Sequence, residues 1–339
     1  VPDLAGPEPD VWDALALRAR NLFSTHAWAA TWWESYGDGA RPQVVVDDPA
    51  RPRVVLPLCT RGRVLRQTRW IGHGPADLLG PVCDPADEPL AADLLARTLA
   101  DRGLRSDVVL LEDCADRASW WAEAAPRTVR TETSPVLRLP AGATWEQWLA
   151  GKSRNFRSQV SRKPNGLRRD HEVDVRLATG ETLEADLAAL FELHAARWDR
   201  DSVLLDPRQR RFTEAFARVA LDRGWLRLWT LDVDGRPAAS ALTYRFGDDV
   251  YLYQLGRDPG LERASVGFVL LVHLVRDAFA TGAVEFRFLR GDEDYKSRFA
   301  DGDDPVRTLA LPRTLRGRAA TAVAVRRRQR AAAAASAGE

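Results

Sequence analysis

The 339-residue chain has no methionine, three cysteines, five histidines and only three lysines, Lys152, Lys163 and Lys296, among its 49 basic residues. Cys59, Cys83 and Cys114 are odd in number and widely spaced, with no C-x-x-C pair. That argues against a disulfide framework and against a zinc site, and it fits a reducing compartment. An excess of one charge is also missing. The formal net charge is +1, so the molecule as a whole does not attract nucleic acid or an anionic membrane. Long apolar runs are absent too: the longest helical one, Val266 to Ala280, is interrupted by His273, Arg276 and Asp277 and is too short to span a bilayer. The first residues lack the basic-then-apolar order of a signal peptide, and the expectation is a cytoplasmic protein. Scarce lysine beside 46 arginines is the composition a GC-rich genome gives, so each surviving lysine is more informative than usual.

With 45% apolar residues the chain is long enough for two packed domains. Residues 1–9 are Pro-rich and read as loose. Helices are expected over Pro9 to Ala19, around Trp28, Trp32 and Trp33, over Glu88 to Arg102 and over Ala118 to Glu123. The three tryptophans sit at helical spacing, which favours a core role over ligand stacking. Strands are expected at 43–46, 53–58, 64–71, 107–111 and 135–139, and a boundary falls near residue 140. Beyond it, Trp145 to Leu149 and the following basic stretch read as helical up to Pro164-Asn165-Gly166. A strand at 173–177, helices at 182–198 and 207–222, and three strands at 226–233, 238–246 and 250–255 follow. The last three are split by the hairpin signals Asp234-Gly235 and Gly247-Asp248. Ser265 opens a helix that Gly282 closes. The organisation expected is 1–140, 141–312 and a flexible Ala- and Arg-rich tail over 313–339, which shows little apolar stripe to bury.

The stretch Val284-Glu-Phe-Arg-Phe-Leu-Arg-Gly-Asp-Glu-Asp-Tyr-Lys296 concentrates the chemistry. Val284, Phe286 and Phe288 alternate as in a strand with one apolar face, and a glycine turn loaded with acid, phenol and amine follows. Such strand ends are where α/β folds place reactive groups.

The run Phe288-Leu-Arg-Gly-Asp-Glu-Asp-Tyr-Lys296 resembles the terminal signature of the CelD-like branch of the GNAT acyltransferase superfamily, relatives of the FemABX peptidyl transferases. Phe23-Ser-Thr-His-Ala-Trp28 through Trp32-Trp33-Glu34 and Gly37 is similar to that family's opening helix. Leu193-His194 with Arg197-Trp198 resembles its mid-chain helix, and Asp258-Pro259 with Ser265-Val-Gly267 its donor-side loop. The likeness covers roughly residues 20 to 300. It implies an α/β (α+β) fold of two tandem GNAT-like domains, each a mixed, largely antiparallel sheet flanked by helices, and an acyl transfer reaction. The residues show no convincing repeat between the halves, so the tandem reading rests on the resemblance.

Acyl transfer to an amine needs a held donor, a proton acceptor and a stabilised oxyanion. The resemblance implies donor holding by Tyr251, Gln254, Arg263, Ser265, Val266 and Gly267, with acyl-CoA (acetyl-CoA) as co-substrate and no metal. Unpaired amides at a helix N-terminus would take the pyrophosphate. This loop has a single glycine, a departure from the full GNAT pattern that leaves aminoacyl-tRNA open as the donor. The candidate bases are Asp292, Glu293 and Glu285, with Asp292 favoured as site-lining. Glu285 and Arg287 share a face and alternatively pair with a neighbouring strand. Tyr295 is placed to protonate the leaving thiolate. His194 lies on an apolar stripe, the usual place of a core histidine, yet fits the family's His-x-x-Arg-Trp run.

Lys152, Arg154, Arg157, Arg162, Lys163, Arg168 and Arg169 fall in an acid-free stretch and point to an anion. Of these Lys152, Arg154 and Arg157, together with Arg197, Trp198, Arg290 and Lys296, are the expected substrate- or anion-binding set. The acceptor expected is a small amine or a sugar-linked molecule in envelope or secondary metabolism. A FemABX-like aminoacyl-tRNA-dependent transferase and a non-catalytic GNAT-fold binding protein of exopolysaccharide assembly are the alternatives.

Overall fold

The computed structural model describes residues 4–101, 103–121 and 126–336. The chain divides into two units. One holds the residues up to Thr133 together with those from Asp304 onward; the other is Ser134–Asp303.

In the first unit, Pro9 opens α1 (Pro9–Arg18), where its missing N–H breaks no helical bond. Thr25 caps α2 (His26–Tyr36), its Oγ1 accepting the Trp28 N–H at 3.1 Å. Trp12, Trp28 and Trp32 are fully buried and Trp33 nearly so. The Trp32 indole donates to the His73 carbonyl at 2.8 Å, so these rings are core rather than a ligand platform. Strands β1 (Ala40–Val46), β2 (Val54–Arg61), β3 (Gln67–Trp70) and β4 (Val82–Cys83) precede α3 (Glu88–Ala100), β5 (Val108–Ala115) and β6 (Arg127–Glu132). The chain's last strand, β14 (Val306–Pro312), completes the sheet in the order β1-β2-β3-β5-β14-β6, with β4 beside β2. Among the described residues only β3 and β5 pair in parallel, joined through α3, as a parallel pair requires a crossover. All three cysteines are buried and unbridged, and burial pushes the Cys59 and Cys83 thiols up to about 12.

Three differences from the expected layout have local causes. Ala118 to Trp121 form bends and turns rather than a helix, and the rest of that expected element lies outside the described residues. The boundary expected near 140 falls between 133 and 134, because Pro135–Arg138 pairs into the second sheet, while Val306, Leu309 and Ala310 are buried in the first. The segment read as a loose tail forms α10 (Leu315–Ser336). Thr314 starts it, accepting the Gly317 N–H at 3.2 Å and donating to Asp107 at 2.8 Å. Gly317 and Thr321 are buried four residues apart, so this helix docks through small residues that a search for a greasy stripe passes over.

The second unit runs β7 (Pro135–Arg138), α4 (Trp145–Ala150), α5 (Arg154–Asp170), β8 (Val173–Leu177), α6 (Leu183–Trp198) and α7 (Pro207–Asp222). Then come β9 (Leu226–Val233), β10 (Arg236–Phe246), β11 (Asp249–Arg257), α8 (Val266–Ala280), β12 (Glu285–Arg287), α9 (Asp294–Phe299) and β13 (Gly302–Asp303). The sheet order is β13-β7-β12-β11-β10-β9-β8, again with one parallel pair, β11 and β12, bridged by a helix. Helix α5 continues through Pro164, where the sequence predicts a stop. Phe156, Val160 and Leu167 form one buried stripe, and burying Leu167 outweighs the bond the proline removes.

One irregularity positions everything that follows. In the β10–β11 ladder Thr243 faces Leu252 and Leu242 faces Gln254, which leaves Tyr253 as an extra residue. Before this bulge the even-numbered Val250 and Leu252 face the α8 core; after it, Leu255 does. The bulge thereby turns the end of β11 over.

Candidate active site

Past the bulge, β11 meets the N-terminus of α8 and the side of α9 around a cleft of about 290 Å³. Leu255 and Arg257 come from β11, Ser265 to Phe268 and Leu271 from α8 and the residue before it, Tyr295 and Arg298 from α9, Lys163 from α5 and Arg197 from α6. The parallel pairing that begins at Asp249 and Glu285 ends at Tyr251 and Arg287, and the cleft lies beyond it.

The entrance to α8 is unusual. Ser265, the residue before its first turn, is left-handed (φ 56°) and makes no side-chain cap. Amides in a helix's first turn have no intrahelical acceptor, and Val266, Gly267 and Phe268, the first residues of α8, line the cleft with no side-chain cap from Ser265. Lys163, Arg197, Arg257 and Arg298 surround this end, and Glu262 is the one carboxylate among the described lining residues. Glu262 pairs with Arg257 at 3.2 Å. Burial, with Arg298 and Arg162 adding to it, lowers the Lys163 pKa; burial does the same for Arg197. Amides at a helix end plus an excess of cations make an anion site.

Arg197 and Tyr295 stand together on the lining. The Arg197 guanidinium stacks on Trp198 with its centre 4.6 Å from the ring centroid, lies 5.4 Å from the Tyr295 ring, and donates to the Leu255 carbonyl at 3.0 Å. It also hydrogen-bonds the Tyr295 hydroxyl. Burial, reinforced by Glu293, pushes the Tyr295 phenol above its ordinary range, so it stays protonated at neutral pH.

Of the expected donor-holding residues, Ser265, Val266 and Gly267 line the cleft and three do not. Arg263 is exposed. Tyr251 is fully buried before the bulge, beneath Arg287. Gln254 turns to the other face, where its side chain bonds His194. Of the expected catalytic groups only Tyr295 reaches the cleft. Asp292 is exposed. Glu285 pairs with Arg287 at 2.7 Å, and Arg287 reaches buried Asp249 at 3.4 Å, a network at the far end of β11 about 20 Å away by strand rise. The alternative of strand pairing therefore describes Glu285. His194 is buried, with Nδ1 2.7 Å from Ser202 Oγ, and burial lowers its pKa to about 4. It locks α6 against β11 where the two backbones nearly touch: a Cβ on Gly256 would come within 2.5 Å of the His194 backbone nitrogen.

Lys296 and Glu293 explain the terminal signature differently from the sequence reading. Lys296 is 4% exposed. Its ammonium donates to the carbonyls of Arg290 (2.5 Å) and Leu289 (3.4 Å) and pairs with Glu293 at 2.8 Å. The turn it fastens is contorted: Leu289 has φ 62° and Gly291 has φ 123°, and a Cβ on Gly291 would collide with Glu293. The lysine closes the turn from inside, with the Arg290 carbonyl as one of its partners. In the basic run, Lys152 bonds the Phe299 carbonyl at 3.1 Å and lies over the Trp148 ring. Arg157 ties down the carbonyls of Ala150 and Lys152, and Arg154 is exposed. Arg197 is on the lining and Trp198 supports it from behind.

The sequence reading put Lys163 in the basic run that points to an anion without including it in the expected binding set, and it missed Arg257, Glu262, Phe268 and Arg298. A signal for Lys163 existed. It follows Val160 by three residues and precedes Leu167 by four, which puts a lysine on the buried stripe of α5. Arg298, one helical turn after Tyr295, was legible in the same way.

Residues 154–297 match the model of the family described as an acetyltransferase (GNAT) domain. No curated protein matches the chain. Among solved structures, FemX is 12% identical, with 89% of this chain and 95% of that one covered at a TM-score of 0.64. The C-terminal domain of a putative lysylphosphatidylglycerol synthetase from Agrobacterium fabrum is 16% identical, covering 93% and 94% at 0.58. L-PGS from Bacillus licheniformis is 12% identical, covering 95% and 97% at 0.58. At these identities the likeness shows the fold: mixed α/β, with two mixed sheets flanked by helices in the manner of tandem GNAT-like proteins. Among the described residues no cluster of three His, Cys, Asp or Glu is placed to hold a metal ion. No described helix is long and apolar enough to cross a membrane.

Proposed function

We propose that the second unit is an N-acyltransferase that takes its acyl group from acyl-CoA, in the CelD-like branch of the GNAT superfamily. The observation that carries this is the convergence on one cleft of uncapped α8 amides, four cations and a protonated tyrosine. The amides of Val266 to Phe268, with Lys163, Arg257 and Arg298, hold the donor's phosphates. The end of β11 beyond the bulge aligns the thioester. The acceptor nitrogen attacks the carbonyl carbon, a C–N bond forms and the C–S bond breaks. The amine gives its proton to Glu262 or to solvent, and Tyr295 delivers one to the leaving thiolate. Arg197 keeps the Tyr295 ring in place from the opposite side.

Mixing the chain with acetyl-CoA and a panel of amines, while following thiol release, tests this. Turnover is expected, falling about a hundredfold in Tyr295→Phe with acetyl-CoA affinity kept. Turnover unaffected by the loss of the hydroxyl would remove Tyr295 from the mechanism.

A FemABX-like reading, with aminoacyl-tRNA as donor, draws support from the exposed arginines of α5, among them Arg154, Arg162, Arg168 and Arg169, and from the likeness to FemX. Charged tRNA binding with a steep salt dependence, alongside indifference to acyl-CoA, would favour it. Indifference to both would favour a non-catalytic binding protein.

A further inference from the structure

The first unit carries a second concentration of positive charge that the acyl-transfer chemistry does not use. A bowl of about 670 Å³ is lined by Gly39, Ala40, Arg41, Gln43, Thr60, Arg61, Gly62, Arg63, Arg66, Gly103 and Arg105. Five of those eleven residues are arginine and none is acidic, in a chain whose 49 basic residues are otherwise balanced by 48 acids. Three carboxylates flank the bowl in sequence: Asp38, exposed beside Gly39, and Asp101 and Asp107, which accept backbone N–H groups of the lining itself. Asp101 accepts the Gly103 N–H at 2.8 Å. Asp107 accepts the Arg66 N–H at 2.8 Å and the Thr314 hydroxyl at 2.8 Å. Arg61 is pinned, donating to the carbonyls of Tyr36 and Asp38. Arg41, Arg63, Arg66 and Arg105 are exposed around it.

The place of the bowl in the sheet separates it from the acyl-transfer cleft. In the second unit the cleft lies past the C-terminal end of the parallel pairing, beyond Tyr251 and Arg287. In the first unit the parallel pairing runs Gln67–Val108, Thr68–Val109 and Arg69–Leu110. Arg66 and Arg105 come before it, at the N-terminal end. The bowl is therefore not a worn copy of the cleft.

We infer that this bowl is a binding site for a di- or polyphosphate group on a small molecule. Guanidinium forks suit phosphate oxygens, and several gathered around one space suit a ligand with more than one negative charge. Among the described lining residues there is no aromatic ring on which a base would stack, so the bowl reads phosphate charge and not a nucleobase. Its volume is that of a small-molecule site.

Calorimetry with sodium pyrophosphate and, separately, orthophosphate tests this on the full chain. The cleft variant Arg257→Ser/Arg298→Ser isolates the bowl, and Arg63→Ser/Arg66→Ser/Arg105→Ser disables it. One pyrophosphate is expected to bind the cleft variant, with affinity falling at least tenfold in the bowl variant and steeply with added salt. Orthophosphate is expected to bind at least tenfold more weakly. The three substituted side chains are exposed, so an unchanged melting temperature is expected to accompany the loss. Absence of a pyrophosphate signal in the cleft variant would overturn the inference. So would a signal that survives the three substitutions, or orthophosphate binding as tight as pyrophosphate. None of these outcomes depends on whether acyl-CoA occupies the cleft.

Discussion

Replacing Lys296 by methionine separates the two roles a lysine in the terminal signature can have. Lys296 is 4% exposed, and its ammonium serves two carbonyls and one carboxylate. Methionine keeps most of the volume and none of the donors. Hydrogen bonds to a charged group contribute roughly 1.5–3 kcal/mol each, and breaking a buried pair costs about 3–5 kcal/mol. Relief of the ammonium's own desolvation offsets part of this, and the Glu293 side chain, 30% exposed, recovers some hydration. A net loss of about 3 kcal/mol remains, or roughly 6–12 °C in melting temperature for a unit of this size. Scanning calorimetry of wild type and Lys296→Met measures it directly. Loss of activity should follow the loss of structure, because Tyr295 and Arg298 ride on the helix that the turn starts. An unchanged melting temperature combined with collapsed donor affinity would show instead that the ammonium holds the ligand, and the structural account of the turn would be wrong.

Two other substitutions probe the same account. Asp292→Asn changes an exposed side chain outside the cleft, so melting should move by no more than about 1 °C and turnover by less than about twofold; abolished turnover would return Asp292 to the chemistry. His194 has a folded pKa of about 4 against 6.5 in the unfolded chain. The unfolded state therefore takes the proton first as pH falls, and stability is lost between about 6.5 and 4. At pH 5 the loss is about 2 kcal/mol, and His194→Gln should show a flatter stability profile over this range than wild type in chemical denaturation. Parallel profiles would mean that His194 is not held neutral.

Much of the fold could be read from periodicity, and the reasons for the exceptions are physical. The three-strand meander, α7 and α8 announce themselves by alternation, by helical spacing and by the turn pairs Asp234-Gly235 and Gly247-Asp248. The crossing of β7 and β14 between sheets does not, because a short strand of four or seven residues carries no label for the sheet it will join. Helix α10 hid because Gly317 and Thr321 make its contact. In the candidate site, the sequence located the right stretch and misjudged its parts. A Gly-Asp-Glu-Asp-Tyr-Lys run shows which groups are close in sequence. It does not show that Lys296 turns inward to hold Leu289 in a left-handed conformation while Tyr295 turns to the cleft. The bulge at Tyr253 is equally silent, yet it decides that Leu255 and Arg257 line the cleft while Gln254 points away.

The most direct measurement is acetyl-CoA binding by calorimetry to the wild-type chain and to Arg257→Ser/Arg298→Ser. One acetyl-CoA per chain is predicted, with affinity reduced at least tenfold in the double variant while Arg63→Ser/Arg66→Ser/Arg105→Ser binds as wild type does. Acetyl-CoA that fails to bind, or that binds undiminished without the two cleft arginines, would contradict the assignment of the donor to this cleft.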